Sequence, residues 1–220
     1  MPSARARHPQ PPRLPARLEP RTSAAPAHDE VCEDIELTDL GLREQSARGV
    51  ELRTARLSGV DLSASRFERL SVADAALAGC DLANIDAPRA SARRVTVEGC
   101  RMTGAVLTGA ALGNMTVRDG RLDLVSLAEA TLDSVTFEDC LLTDASFLDA
   151  RLESVRFLRC DLTRADFRGA RLERCELLRS QLVGIHGVER LSGAMIDSAG
   201  IVAHAEVWAR ALGIEVLEAE

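Results

Sequence analysis

At 220 residues, with 46% hydrophobic and 28% charged side chains, the chain has room for one sizeable core or a repeat array and is too polar for a membrane protein. Aromatic residues make up only 3%, with one Trp and no Tyr, so a narrow and uniform interior is expected in place of a core filled by large rings. The formal net charge is −7, the six cysteines include no C-x-x-C pair, and His8, His28, His186 and His204 are scattered, so no metal and no other cofactor is expected.

Residues 1–29 carry seven of the eight prolines and five Arg against two acids, with few bulky apolar side chains to offset ordering entropy. The segment is expected to be a disordered, solvated tail, since its small positive charge is weak for a nucleic-acid-binding arm. It holds no apolar run of signal-peptide length, and no stretch of the chain has the ~20 apolar residues of a membrane span. Cysteines expected to be free thiols point to the reducing cytoplasm.

From residue 30 to residue 186 the sequence repeats with a period of five. Let i be the central residue of each five, from Cys32 to Leu182. Most i residues are Leu, and every Phe of the chain (Phe67, Phe137, Phe147, Phe157, Phe167) is among them. Two residues earlier, at i−2, small residues dominate, as in Ala145-Ser146-Phe147 and Ala165-Asp166-Phe167. No Asp, Glu or Arg between Ile35 and His186 occupies either slot, although that stretch holds 23 acids and 20 Arg. Neither a helical stripe nor strict alternation produces this pattern, whereas a chain that turns a corner every five residues does. The weakest stretch is Ala87-Pro88-Arg89-Ala90-Ser91-Ala92-Arg93-Arg94, where inward slots shrink to Ala and a proline interrupts; it is taken as a degenerate repeat in preference to a bulged, Arg-decorated recognition patch.

Cys80-Asp81-Leu82, Cys160-Asp161-Leu162 and Ala165-Asp166-Phe167 are copies of an A(D/N)Lxx motif, and over about residues 31–186 the chain resembles the pentapeptide-repeat family. The resemblance implies an all-β fold, a right-handed quadrilateral parallel β-helix with four pentapeptides per coil and a C-terminal capping helix. At the ~4.8 Å spacing of adjacent strands, seven to eight coils make a rod roughly 35 Å long. On such a coil Phe137, Phe147, Phe157 and Phe167 belong to the core ladder, and Cys80, Cys100, Cys140 and Cys160 stack in one column of one face. Cysteine suits that slot as a small buried hydrophobe, so the column is expected to be structural and not a metal or redox site.

Residues 187–220 leave the register and are expected to close the rod, since an open coil end is an unpaired strand edge. Ile201, Ala205, Trp208 and Leu212 fall on one stripe of a helix with Ser198 as N-cap and Gly213 past its end, and Ile214-Glu215-Val216 reads as a short strand. Val202, Val207, Ala209 and Leu217 lie off that stripe and suit a second contact, so a homodimer with Trp208 near its interface is expected.

No nucleophile elbow, zinc-protease motif, phosphate-binding loop or dinucleotide fingerprint occurs, and a rod filled by its own side chains offers no pocket, so no catalytic site is expected. Two functions stay open. One is a non-enzymatic scaffold that binds an unidentified protein through its outer faces. The other, implied by resemblance to the mycobacterial and Qnr-type fluoroquinolone-resistance proteins, is a DNA mimic that occupies the DNA-binding surface of DNA gyrase and confers antibiotic resistance. A mimic needs an acidic stripe, and the array is close to charge balance, with Arg156, Arg159, Arg168, Arg171 and Arg174 crowding its last coils. Direct nucleic-acid or membrane binding is not expected.

Overall fold

The computed structural model describes residues 5–21 and 26–216. Parallel strands at Val31–Thr38, Glu51–Ser58, Ser71–Ala78, Ser91–Glu98, Ala111–Arg118 and Thr131–Glu138 stack in one sheet, followed by the shorter Arg151–Glu153, Arg156–Leu158, Arg171–Glu173 and Glu176–Leu178. Each residue pairs with the one 20 positions on, as Leu52 with Val72, Val72 with Ala92, and Ala92 with Leu112. The opposite sides of the coil are joined by single parallel bridges in the same register, Asp81 to Arg101 and Ser126 to Ser146 among them. Main-chain groups bond to both neighbouring coils: Asp81 N–H donates to Val60 O at 3.0 Å and Leu82 N–H to Arg101 O at 2.7 Å. The backbone is thereby satisfied without helices.

The corner of each repeat lies at i+2, where the chain enters the left-handed region with φ close to +50° to +60°, as at Asp74 (φ 52), Asn84 (φ 54), Asp119 (φ 51) and Leu124 (φ 59). Gly, Asn and Asp accept this conformation at little cost, and other residues lose roughly 1–2 kcal/mol in it. The turn signal that goes with the five-residue period is thus an enrichment of Gly, Asp and Asn at i+2, which hold just over half of these corners while Arg holds many of the rest. It was present in the sequence and complements the hydrophobic phase.

Inward slots pack as the phase requires. Phe137 and Phe157 stack with ring centroids 5.3 Å apart, Phe147 and Phe167 at 4.9 Å, and the two stacks meet edge to face, Phe147 on Phe157 at 5.6 Å. Leu142, Leu152, Leu162 and Leu182 fill the remaining space and are fully buried. The expectation of a filled rod fails in the other half. Around the Ala87 and Ala92 slots, coils lined by Leu, Val and Ala leave an apolar cavity of about 140 Å³ bordered by Leu52, Leu62, Val72, Leu77, Ala92 and Leu112.

Residues 5–21 are not a solvated tail. They run lengthwise along one corner of the rod, from the last coils to the first. Ala6 N–H donates to Glu176 Oε1 at 3.2 Å, the Arg7 guanidinium reaches Asp133 at 2.7 Å and Glu153 at 2.8 Å, Gln10 N–H donates to Asn114 Oδ1 at 3.0 Å, and Arg13 N–H to Asp74 Oδ1 at 2.9 Å. The strap ends as a two-residue strand, Glu19–Pro20, paired with Ile35 and Glu36, so it also covers the edge of the first coil. Composition predicted disorder because burial is slight, with Ala6 and Leu18 as the two buried anchors. Proline pre-sets an extended chain with little entropy to lose, and the corner column supplies oxygen acceptors for the N–H groups that remain. Leu18→Asp should therefore release the strap, seen as rapid tryptic cleavage after Arg13 and Arg17 that the native chain resists.

At the other end, the left-handed Gly187 (φ 75) ends the register; a Cβ there would stand 2.5 Å from Arg168 N. A 3-10 turn (Val188–Leu191), a short strand (Met195–Ile196) paired with Glu176 and Leu177, and two helices, α1 (Ser198–Ala203) and α2 (Ala205–Ala211), follow. The cap differs from the expected single helix. Asp197, not Ser198, is the N-cap, its carboxylate accepting from Gly200 N–H at 2.7 Å. His204 breaks the helix and is buried against the last coil, with its Nε2 3.2 Å from Leu182 N and 3.3 Å from Ser180 O. The break rotates the expected stripe off the rod: Trp208 packs partly buried, whereas Ala205, Ile201 (47% exposed) and Leu212 (76% exposed) face outward. Ile214-Glu215-Val216 lies outside any strand. No helix among the described residues is long and apolar enough to cross a membrane.

Candidate interaction surface

The cysteine column is interior. Cys80, Cys100, Cys140 and Cys160 are buried and free, as are Cys32 and Cys175. Cys80 N–H donates to Cys100 Sγ at 3.3 Å, Gly120 takes the column position between Cys100 and Cys140, and Ser180 continues it beyond Cys160, its Oγ accepting from Cys160 N–H at 3.1 Å. Burial pushes the Cys175 thiol up to about 11. The Cys140 thiol beside Cys160, together with burial, holds Cys160 above the ordinary thiol range. Cys160 and Cys175 are poor nucleophiles in the folded rod, whereas the hydrogen bonds with Cys100 and Cys160 hold the Cys80 and Cys140 thiols below the ordinary range, in the buried interior. Among the described residues no group of three or more His, Cys, Asp or Glu is placed to hold a metal ion.

The outer faces carry the charge, and coil stacking pairs most of it off. Because the register is 20 residues, an Arg on one coil stands over the residue of the same column on the next. Arg101 meets Asp81 at 3.2 Å, Arg118 meets Glu138 at 2.9 Å, Arg156 meets Glu176 at 3.0 Å, and Arg164 meets Asp144 at 2.6 Å. Arg159 bridges Glu138 at 2.8 Å and Asp139 at 2.7 Å. Arg159 and Arg164 hold the Asp139 and Asp144 carboxyls below the usual carboxylate range. In the crowded last coils, Arg168 pairs with Asp166 and Arg174 with Glu153 and Glu173. The result is mostly a ladder of mixed sign; one acidic row, Asp133, Glu153 and Glu173 on three successive coils, is engaged by Arg7 and Arg174, and exposed pairs of this kind add little stability each.

The two sides of the rod differ in another respect. The strap covers the corner of the long-strand side. The opposite two faces, built from the bridged residues, bear Val106 (37% exposed), Leu124 (60%), Leu141 (41%), Leu148 (37%) and Val183 (49%). Leu124 is unfavourable twice over, since it is a large apolar side chain in water and a γ-branched residue in the left-handed corner conformation (φ 59). Leu124 was visible as a misfit against the Gly, Asp and Asn preference of its slot.

Several solved structures resemble the fold. QnrB1, described as a plasmid-mediated fluoroquinolone resistance protein, aligns over 91% of this chain and 97% of its own at 19% identity, with a TM-score of 0.43. HetL from the cyanobacterium Nostoc, described as a pentapeptide repeat protein involved in heterocyst differentiation regulation, aligns over 76% of this chain and 87% of its own at 18% identity, with a TM-score of 0.34. No curated protein matches the chain. The family described as Pentapeptide repeat region matches residues 71–147 and 121–186, together more than half of the sequence. With its five-residue phase, its 20-residue register and that match, the chain belongs to the pentapeptide-repeat family.

Proposed function

We propose that this protein is a non-enzymatic scaffold that binds a partner protein through the two strap-free faces. The observation that supports this reading is Leu124, an exposed leucine held at a backbone conformation that costs roughly 1–2 kcal/mol in that residue type, a combination that weakens the rod and suits a contact. Leu141, Leu148 and Val183 extend the apolar surface, and the paired charges around them supply a polar rim. The partner is a protein with an apolar patch bordered by charges of both signs. Leu124→Asn is the informative change, because asparagine accepts the left-handed corner. It should raise stability in urea unfolding by about 1 kcal/mol while lowering the retention of proteins bound to the immobilised native chain. Equal retention of the same proteins by the native chain and by a Leu124→Asn, Leu141→Asn double variant would sink the assignment of this face.

The DNA-mimic alternative draws on the family resemblance, and the mixed-sign ladders weigh against it. A homodimer through the cap remains part of the proposal. Ile201, Val202 (77% exposed), Leu212, Ile214 and Val216 make an apolar surface beside Trp208, whose indole N–H donates to Ile201 O at 3.1 Å. Val202→Glu with Leu212→Glu should convert the dimer to a monomer in sedimentation velocity, and a native chain that sediments as a monomer at all concentrations would remove the dimer.

A further inference from the structure

We propose that the N-terminal half of the rod's bore is a binding site for a slim, uncharged hydrocarbon chain. The cavity of about 140 Å³ is bordered by residues from Cys32 to Met115, and along one column by Cys32, Leu52, Val72, Ala92 and Leu112. Four coil spacings of ~4.8 Å separate the ends of that column, so the lining extends over roughly 19 Å of the rod axis, with the void occupying part of that length. Leu52, Leu62, Val72, Leu77 and Ala92 sit at inward slots and yet are only partly buried, whereas Leu132, Leu142, Leu152 and Leu162 at equivalent slots are fully buried. The surface the first group retains is cavity wall.

The cause is in the sequence. The later coils bring two interlocked phenylalanine stacks to the axis, Phe137 on Phe157 and Phe147 on Phe167. The early coils offer Phe67 alone, then Val72, Ala87, Ala92 and Val97, while the coil circumference stays fixed by the 20-residue register. Side chains of smaller volume in a frame of unchanged size leave a gap that the backbone cannot close.

The lining sets the ligand class. Apart from Arg21, Cys32 and Ser91, every bordering residue is aliphatic, Phe, Pro or Met, so water finds few partners inside. An apolar cavity of about 150 Å³ stays dry and takes up benzene or xenon. Here a similar volume is drawn out over several coils, which disfavours a ring and favours an unbranched chain of roughly six to eight carbons. Arg21, ion-paired with Glu30 at 2.7 Å, is at the strap end of the cavity, so this end is polar and the rest is not.

The test uses the full chain and two probes, xenon and n-hexane. Crystals pressurised with xenon should show anomalous density on the rod axis between the coils of Leu52 and Leu112, with none on the axis beside Phe147 and Phe157. Buffer saturated with n-hexane should raise the melting temperature of the native chain by about 2–4 °C. Ala92→Leu, which fills the gap at the smallest side chain of that column, should be more stable without hexane and should lose that rise. An axis free of xenon, or a hexane response that survives in Ala92→Leu, would overturn the site; the xenon result stands on the native chain alone and does not depend on the variant folding.

Discussion

Phe157→Ala is expected to lower the stability of the rod by about 3–5 kcal/mol in urea or thermal unfolding. Phe157 is fully buried, stacks on Phe137 at 5.3 Å and meets Phe147 and Phe167 edge to face at 5.6 and 6.2 Å, so its removal opens a void bounded by three other rings. Coils above and below are fixed by their backbone ladders and cannot collapse onto that void. The same truncation at Phe67, which borders the existing cavity, should cost less, because its packing is already incomplete on one side. Phe157→Asp should prevent folding of the later coils, since an isolated carboxylate on the axis has no partner and no water.

The second large effect is expected at Asp74. Its carboxylate accepts from Arg94 Nε at 2.6 Å and from the strap's Arg13 N–H at 2.9 Å, and the Asp74 and Arg94 side chains are 14% and 12% exposed. Asp74→Ala leaves a mostly buried guanidinium unpaired, frees a strap N–H, and puts alanine in a left-handed corner (φ 52). The sum should be about 3 kcal/mol at neutral pH. Asp74→Asn keeps the corner conformation and one acceptor, so it isolates the charge and should cost less. Arg94 holds the Asp74 carboxyl below the usual range. A depressed carboxylate contributes its full stability above the unfolded value of about 3.9 and loses it as pH falls through the lower folded value. The gap between native chain and Asp74→Asn should therefore be constant from neutral pH to about pH 5 and should close below about pH 4.

The phase of the repeat was legible because two independent signals share it, Leu and Phe at i and the exclusion of charge from i and i−2. Both follow from one physical fact, that inward side chains have no water. The cysteine column was legible for the same reason. The strap was not, because it is held by backbone N–H groups on carboxylate and amide oxygens of residues such as Asp74, Asn114 and Glu176, far away in the chain. Hydrophobic content measures only burial, and here burial is a minor part of the attachment. The cavity was hidden in a different way. Ala87 and Ala92 were recognisable as small, but a void follows only once the coil is known to keep its width around them. At the cap, a 3.6-residue stripe was projected across His204, whose side chain turns inward to the last coil and ends the helix that the projection assumed. The proposed binding face could have been suspected from Leu124, once i+2 is understood as a corner that disfavours leucine.

Charges that neutralise one another between coils favour the scaffold reading over mimicry, and its sharpest contrast is with a rod that presents carboxylates to a basic, DNA-binding surface. DNA supercoiling by gyrase, titrated with this protein at low and at physiological ionic strength, separates the two. The comparison variant is Glu138→Arg with Asp139→Arg, since these acids are engaged by Arg118 and Arg159 in the native chain. Paired ladders predict no inhibition at physiological ionic strength and, at low salt, only a weak effect, because unpaired carboxylate rows are what such association draws on. Strong inhibition at physiological ionic strength that the charge-reversed variant loses would contradict the account.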